Sequence, residues 1–316
     1  MKASVLTGPK QMRLENVTIP EPGAGEVRLK LQGCGVCGSN LASWVGMPWT
    51  KYPMPPGALG HEGWGFVDAV GPGVRGIKIG DRVAALSDKA YAEYDIARAD
   101  RVIPVPLTIK EFPGEAVGCA MNIFRRSDIQ KGQTVAIIGI GFLGALLTRL
   151  VSQAGARVIA ISRRPFSLEI AKKMGAQELI ALDDHYKIIE RVKEITQQTF
   201  CDRVIEAIGQ QWPLDLSAEL TRERGKLIIA GYHQDGPRQI NMQLWNWRGL
   251  DVINAHERDP EVYVRGIREA LSAIEAKIID PSILYTHRFP IDRLDAALNA
   301  NLERPDGFMK ALVVYE

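Results

Sequence analysis

Two groups of residues carry chemistry in their type and spacing. The first is Cys34-Gly35-Val36-Cys37-Gly38-Ser39-Asn40, followed by Gly60-His61-Glu62-Gly63. A catalytic zinc wants three protein donors of Cys, His or carboxylate type and one open position. Cys37 and His61 supply a thiolate and an imidazole. Cys34-x-x-Cys37 also reads as half of a structural four-cysteine site, but no second CxxC completes it. His61 on its own reads as a hydrogen-bonded core histidine; Cys37 and the nucleotide turn described next favour the metal reading.

The second group is Thr134 to Gly144, TVAIIGIGFLG. An apolar run, Val135 to Ile138, stops at Gly139-Ile140-Gly141-Phe142-Leu143-Gly144, and a helical apolar pattern follows. In a strand–turn–helix of this kind Gly139 allows the tight turn. Gly141 lets the backbone approach a pyrophosphate, and Gly144 lets the helix pack close to the strand. The helix start at Phe142 and Leu143 turns its positive end toward phosphates. About 20 residues beyond such a turn, NAD enzymes place an acidic residue on the ribose 2′-hydroxyl. Here Ser162-Arg163-Arg164 stand instead. No carboxylate repels a 2′-phosphate and two guanidiniums can pair with it, so NADP(H) is expected over NAD(H). Both arginines also read as solvated surface charge.

The elements that must hold these groups change in texture along the chain. Up to about residue 112, short β-like runs such as 26–31, 65–70 and 81–85 are separated by turn formers, Pro20-Glu21-Pro22-Gly23 and Gly71-Pro72-Gly73 among them. That is a β-rich domain. Beyond it, strands and helices alternate: strands at 158–161, 178–182, 203–207, 226–230 and 250–253, with helices at 167–174, 186–197 and 214–222. With the strand before Gly139 this makes a six-stranded doubly wound parallel sheet, hence an α/β chain. Helices at 261–276 and 291–301 and a closing strand at 309–314 follow. This tail is expected to return to the first domain.

The totals agree. A chain of 316 residues, 46% apolar and 24% charged, accommodates two globular domains. A net charge of +2 gives no cause to expect nucleic acid or an anionic membrane as partner. No repeat, low-complexity tract or apolar run of transmembrane length occurs. The N-terminal residues alternate like a strand rather than forming a signal peptide, and four cysteines without a secretory signal read as thiols or metal ligands. A cytoplasmic location is expected.

Taken in order, GCGVCGS, GHEGWGFV, GDRVA and GIGFLG resemble the zinc-dependent alcohol and polyol dehydrogenases, sorbitol type, of the medium-chain dehydrogenase/reductase superfamily. The resemblance runs from MKASVLTGP to MKALVVYE. It implies a discontinuous GroES-like catalytic domain, 1–119 and 258–316, a Rossmann cofactor-binding domain, 120–257, and an active site in the cleft between them. The implied reaction is hydride exchange between a nicotinamide and a small-molecule alcohol, aldehyde or ketone. By position Cys37 and His61 match the first two zinc ligands, and Glu62 the adjacent glutamate that approaches the metal or orients its surroundings. Ser39 matches the hydroxyl that passes the alcohol proton outward. Residues 115–126 resemble an EPLAxxLHxxRR segment whose leading glutamate is a ligand, here Glu115, with Cys119 as its rival.

Three departures from the family pattern carry expectations. Asn40 replaces an aspartate; if it supports His61, the imidazole is expected to be less basic and the zinc more electrophilic. Ala42 stands where a relay histidine often sits, which sends the proton out through water. The four-cysteine lobe of many relatives is absent, so one catalytic zinc per chain and no structural zinc are expected. Trp44, Met47, Trp49 and Tyr52 read either as the lining of an apolar substrate cleft or as packing. Trp245 and Trp247 read as a subunit contact of a homodimer or homotetramer, or as core. Two other functions compete: a metal-free reductase of enones or quinones from the same superfamily, and a nucleotide-binding protein without catalysis.

Overall fold

The short alternating runs between Gly and Pro turns form strands in the structure, a computed structural model that describes residues 1–315. Strands β1 (Lys2–Gly8) and β2 (Gln11–Asn16) make an antiparallel hairpin. Next come β3 (Glu26–Gly35), helix α1 (Asn40–Val45), β4 (Gly63–Val70), β5 (Arg82–Ala85), β6 (Tyr94–Arg98) and β7 (Val102–Pro104). Helix α2 (Gly114–Ser127) leads into β8 (Thr134–Ile138), α3 (Phe142–Gln153), β9 (Arg157–Ser162), α4 (Pro165–Lys173), β10 (Glu178–Ala181) and α5 (His185–Ile195). The alternation continues through β11 (Cys201–Glu206), α6 (Gln211–Leu220), β12 (Thr221–Ile229), α7 (Met242–Arg248), β13 (Asp251–Asn254) and α8 (Pro260–Glu275). Strand β14 (Tyr285–Pro290), α9 (Leu294–Glu303) and β15 (Lys310–Val314) end the described chain.

These elements fall into two units. One comprises Met1–Cys119, Arg258–Ser272 and Pro281–Glu316; the other comprises Ala120–Glu257 and Ala273–Asp280. In the first, the GroES-like unit, β14, β15, β3, β4, β5 and β7 lie side by side in that order, and β6 pairs with β3. The strand order makes the last strand the neighbour of the third: Leu312 pairs with Gly35 and Val313 with Cys34. Arg82, buried at 7% exposure, donates to the side chain of Gln32 and to the carbonyls of Pro106, Ile109 and Lys110. A guanidinium with every bond directed inward orders the segment that leads to Glu115 on α2.

Asp95 does similar work on β6, the strand that pairs with β3. It is buried, accepts the amides of Lys89 and Ile96, and ties the 87–89 loop to β6. Burial pushes its carboxyl up to about 6, against hydrogen bonds from Ser87, Ile96 and Lys89 that pull it down. The folded pKa exceeds the unfolded one, so the folded state holds the extra proton between pH 4 and 6. The stability this group contributes is present at low pH and lost as pH rises through 6. Lowering the pH from 7.5 to 4.5 is therefore expected to stabilise the wild type over Asp95→Asn by about 2 kcal/mol. Urea melts of both proteins at the two pH values check it, and parallel pH profiles would refute it.

In the second unit six parallel strands take the order β10-β9-β8-β11-β12-β13. Val135, Ala136, Ile137 and Ile138 are fully buried, as both faces of a parallel sheet are covered. Each isoleucine contributes on the order of 2 kcal/mol by leaving water. The strand order reverses between β8 and β11, which makes their carboxyl ends the place for a dinucleotide.

Three local expectations need correction. Helix α6 ends at Leu220 rather than Arg222, because Thr221 already pairs with Cys201 as the start of β12 and its hydroxyl bonds back to the Ser217 carbonyl. A helix, α7, occupies 242–248, where sequence reading marked only two tryptophans. Asn241 caps it through the Leu244 amide, and Gly249 stops it in the left-handed region. Strand β14 was also missed: its mixed run Tyr-Thr-His-Arg-Phe-Pro shows no clean alternation and is held by parallel pairing to β15.

Candidate active site

Cys37 sits where β3 has ended and α1 has not begun. Its amide donates to Asn40 Oδ1 at 3.1 Å, and its carbonyl accepts Asn301 Nδ2 at 3.0 Å. Asn40, 1% exposed, uses both ends of its amide. Oδ1 also accepts the Tyr91 hydroxyl at 2.7 Å, while Nδ2 donates to the Leu59 carbonyl at 3.0 Å. That carbonyl lies 2.9 Å from His61 Nδ1. A carbonyl oxygen only accepts, so Nδ1 carries the proton and Nε2 is left to face a metal. The partner of the imidazole is thus the Leu59 carbonyl, and Asn40 reaches it only through that oxygen. The condition attached to Asn40, direct support of the imidazole, is therefore not met. The His61 imidazole itself is pushed up to about 10. Burial alone would lower it, but the hydrogen bond with Cys37 and the charges of Cys37, Glu115 and Glu62 outweigh that.

The donor atoms of Cys37, His61 and Glu62 all lie within 4.8 Å of one another, the group with metal-binding chemistry among the described residues. Glu115, in the first turn of α2, stands outside this trio but near enough for its charge to act on His61. Cys119, one helical turn on, donates its thiol to Glu115 Oε1 at 3.1 Å. Burial and the neighbouring Glu115 raise the Cys119 thiol well above its usual range, so it serves as a hydrogen-bond donor. Burial likewise raises the Glu115 carboxyl against the opposing pull of His61. Ser39 is half-buried just before α1, with no capping bond from its side chain.

Glu62 has a partner that sequence reading missed. Lys310 Nζ, from β15, lies 2.8 Å from Glu62 Oε1 and 2.6 Å from Oε2, and donates to the Val36 carbonyl at 3.2 Å. Both side chains are buried. Burial would lower the Lys310 pKa, but the charges of Glu62 and Cys37 raise it, so the ammonium stays charged. The carboxylate lies against Gly35, where a Cβ would fall 1.7 Å from Oε2. A lysine inside the otherwise apolar 309–314 strand was the available signal. Asn301, which holds the Cys37 carbonyl, gave none.

The second unit carries the nucleotide turn. Gly139 has φ +100°, the left-handed turn only glycine adopts freely, and a Cβ on Gly144 would fall 2.0 Å from the Gly139 carbonyl oxygen. Gly141 precedes α3, whose first residues are Phe142 and Leu143. No side chain caps that helix, and a Cβ on Gly141 would meet nothing within 4 Å. Open space before an uncapped helix N-terminus fits a pyrophosphate. Ser162 closes β9 and is buried, Arg163 is exposed, and Arg164 precedes α4.

Comparison with known proteins agrees with this geometry. Residues 23–107 match the family model described as alcohol dehydrogenase GroES-like domain, and residues 143–272 match zinc-binding dehydrogenase. Sorbitol dehydrogenase of Bacillus subtilis (strain 168) is 26% identical over 99% of this chain and 97% of its own. Alcohol dehydrogenase of Geobacillus stearothermophilus is 31% identical over 61% of this chain and 67% of its own. A crystal structure described as a zinc-binding dehydrogenase from Sinorhizobium meliloti 1021, bound to NADP, superposes with TM-score 0.85. It is 26% identical and covers 99% of this chain and 98% of that one. The chain belongs to the zinc-binding dehydrogenases of the medium-chain dehydrogenase/reductase superfamily.

Within this dehydrogenase the aromatic residues after Cys37 are mostly packing. Trp44 is fully buried with its indole N–H on Asn299 Oδ1, and Tyr52 packs on the same core with its hydroxyl on the Ser43 carbonyl. Only Trp49 is largely exposed, at 57%. Trp245 packs on the core of the Rossmann unit while Trp247 is 84% exposed. No helix among the described residues is long and apolar enough to cross a membrane.

Proposed function

We propose that the protein is a zinc-dependent, NADP(H)-preferring dehydrogenase that interconverts a small-molecule alcohol and its aldehyde or ketone. The observation that carries the zinc reading is the cluster of a thiol, an imidazole with its Nδ1 proton already committed, and carboxylates, set in one half-buried place. This donor set fits zinc. Cys37, His61 and Glu115 are the proposed ligands. Lys310 donates to Glu62 Oε1 and stands beside Oε2 as its counter-charge, so Glu62 is assigned the neighbouring role of shaping the field around the metal. Cys119, a thiol donating to Glu115, orients that carboxylate rather than replacing it. When bound, zinc supplies Lewis-acid polarisation of the substrate oxygen. Ser39 is assigned the passage of the alcohol proton outward, and Ala42 leaves no second side chain to continue it.

The nucleotide turn supports binding of the pyrophosphate, and Arg163 with Arg164 at the end of β9 supports a 2′-phosphate. The exposed Trp247 beside β13 supports a subunit contact. The metal-free reductase and the non-catalytic reading both leave the Cys37–His61–Glu62 trio without use.

Metal analysis by mass spectrometry and absorbance at 340 nm with a panel of alcohols and carbonyls test this reading. Close to one zinc per chain and turnover with NADPH are expected. Arg163→Ala/Arg164→Ala should weaken NADPH binding about tenfold or more with little effect on NADH. A metal-free, active protein, or equal affinities for the two nucleotides before and after substitution, would overturn the respective assignment.

A further inference from the structure

Beyond the turn at Gly139, the carboxyl ends of β11, β12 and β13 are joined by side chains that sequence reading did not single out. Glu206, the last residue of β11, is fully buried. Its Oε1 accepts the amides of Ile208 and Gly209 at 2.7 and 2.8 Å, and its Oε2 lies 3.0 Å from His233 Nε2, in the loop after β12. Arg238 donates Nε to His233 Nδ1 at 2.8 Å and Nη2 to the Gly209 carbonyl at 2.8 Å, and pairs with Asp235. His256, after β13, bonds the Gly231 carbonyl through Nε2 at 3.0 Å.

Bond direction fixes the state of His233. A guanidinium only donates, so Nδ1 must accept, and the single proton sits on Nε2, directed at Glu206. A neutral imidazole thus bridges a buried carboxylate and a guanidinium. The two turns it joins are pressed together: a Cβ on Gly231 would fall 2.2 Å from the Gly209 nitrogen and 2.6 Å from Glu206 Oε2.

The place of this network in the sheet gives it a function. A dinucleotide lies across the point where strand order reverses, between β8 and β11. Its pyrophosphate goes to the β8 turn and its adenosine ribose to the end of β9, which leaves the ends of β11 and β12 for the nicotinamide half. We propose that Glu206, His233 and Arg238 are positioning residues that hold the Gly209 turn and the 231–238 loop in the shape that receives the nicotinamide ring. The inference rests on the nicotinamide reading above.

The discriminating ligands are NADPH and 2′-phospho-ADP-ribose, which lacks the nicotinamide. His233→Leu, which can neither accept from Arg238 nor donate to Glu206, is expected to weaken NADPH about tenfold and to leave 2′-phospho-ADP-ribose unchanged. His233→Gln, whose amide accepts at one end and donates at the other as the neutral imidazole does, should restore NADPH binding. Arg238→Lys, with one donor group in place of a fork, repeats the test should His233→Leu fail to fold. Ring-nitrogen NMR of His233 in the wild type should show a protonated Nε2 and a bare Nδ1. Equal losses for both ligands, no loss for either, or the opposite tautomer would overturn the proposal. A wild type that binds 2′-phospho-ADP-ribose but not NADPH, or neither ligand, would instead overturn the nicotinamide reading on which it rests.

Discussion

Lys310→Met is expected to cost about 3–5 kcal/mol of stability, because it leaves the Glu62 carboxylate buried without its counter-charge. Both oxygens of Glu62 are within 2.8 Å of the ammonium, and both side chains are buried. The size of the effect comes from stranding a charge rather than from the net worth of the pair, which desolvation of both partners largely offsets. The double variant Glu62→Gln/Lys310→Met should therefore recover a good part of the loss. Urea unfolding of the two single variants and the double one, at fixed zinc, closes the cycle. A Lys310→Met protein within about 1 kcal/mol of wild type would show the pair to be incidental.

The second large effect concerns Cys37. Cys37→Ser exchanges a thiolate for a hydroxyl that stays protonated at neutral pH, and so removes the anionic soft donor of the cluster. Zinc content should fall to near zero, and turnover by about a thousandfold or more, as several kcal/mol of Lewis-acid stabilisation are lost. The nucleotide turn belongs to the other unit and its residues share no bond with Cys37, so NADPH affinity should stay near wild type. Full turnover with no metal would sink the zinc assignment. Loss of nucleotide binding together with metal would show that the variant had misfolded.

How much of this was legible beforehand follows from how local each signal is. The glycine turn announces itself because each glycine answers a short-range constraint: a left-handed φ at Gly139 and a close helix–strand approach at Gly144. The Cys37 and His61 motifs are likewise contiguous, and the family resemblance, which the family models bear out, came from them. Lys310 stood out only as a lysine in an apolar strand; its role was hidden because its partner is 248 positions away, although lysine is almost never buried alone. The partners of Asn40 were hidden for a related reason. Its side chain is one step removed from the imidazole, and its amide satisfies a carbonyl that a carboxylate cannot. The aromatic residues after Cys37 carry no periodicity to separate core from cleft, and only the observed packing divided Trp44 and Tyr52 from Trp49. The Glu206, His233 and Arg238 network depends on two turns meeting at the carboxyl ends of β11 and β12, which no stretch of sequence contains.

The register of the last strand also has a consequence in time. Strand β15 pairs with β3 immediately before the Cys37 loop, and the Val36 amide bonds to the Ala311 carbonyl. A nascent chain emerges from its N-terminus at a few residues per second, on the order of 5 to 20. Cys37, His61, Glu62 and Glu115 are thus synthesised well before the strand that flanks them and the lysine that neutralises one of them. The Rossmann strands, contiguous from β8 to β13, can close their sheet in the meantime. Lys310 can meet Glu62, and β15 can pair with β3, only after all four of those side chains have been made.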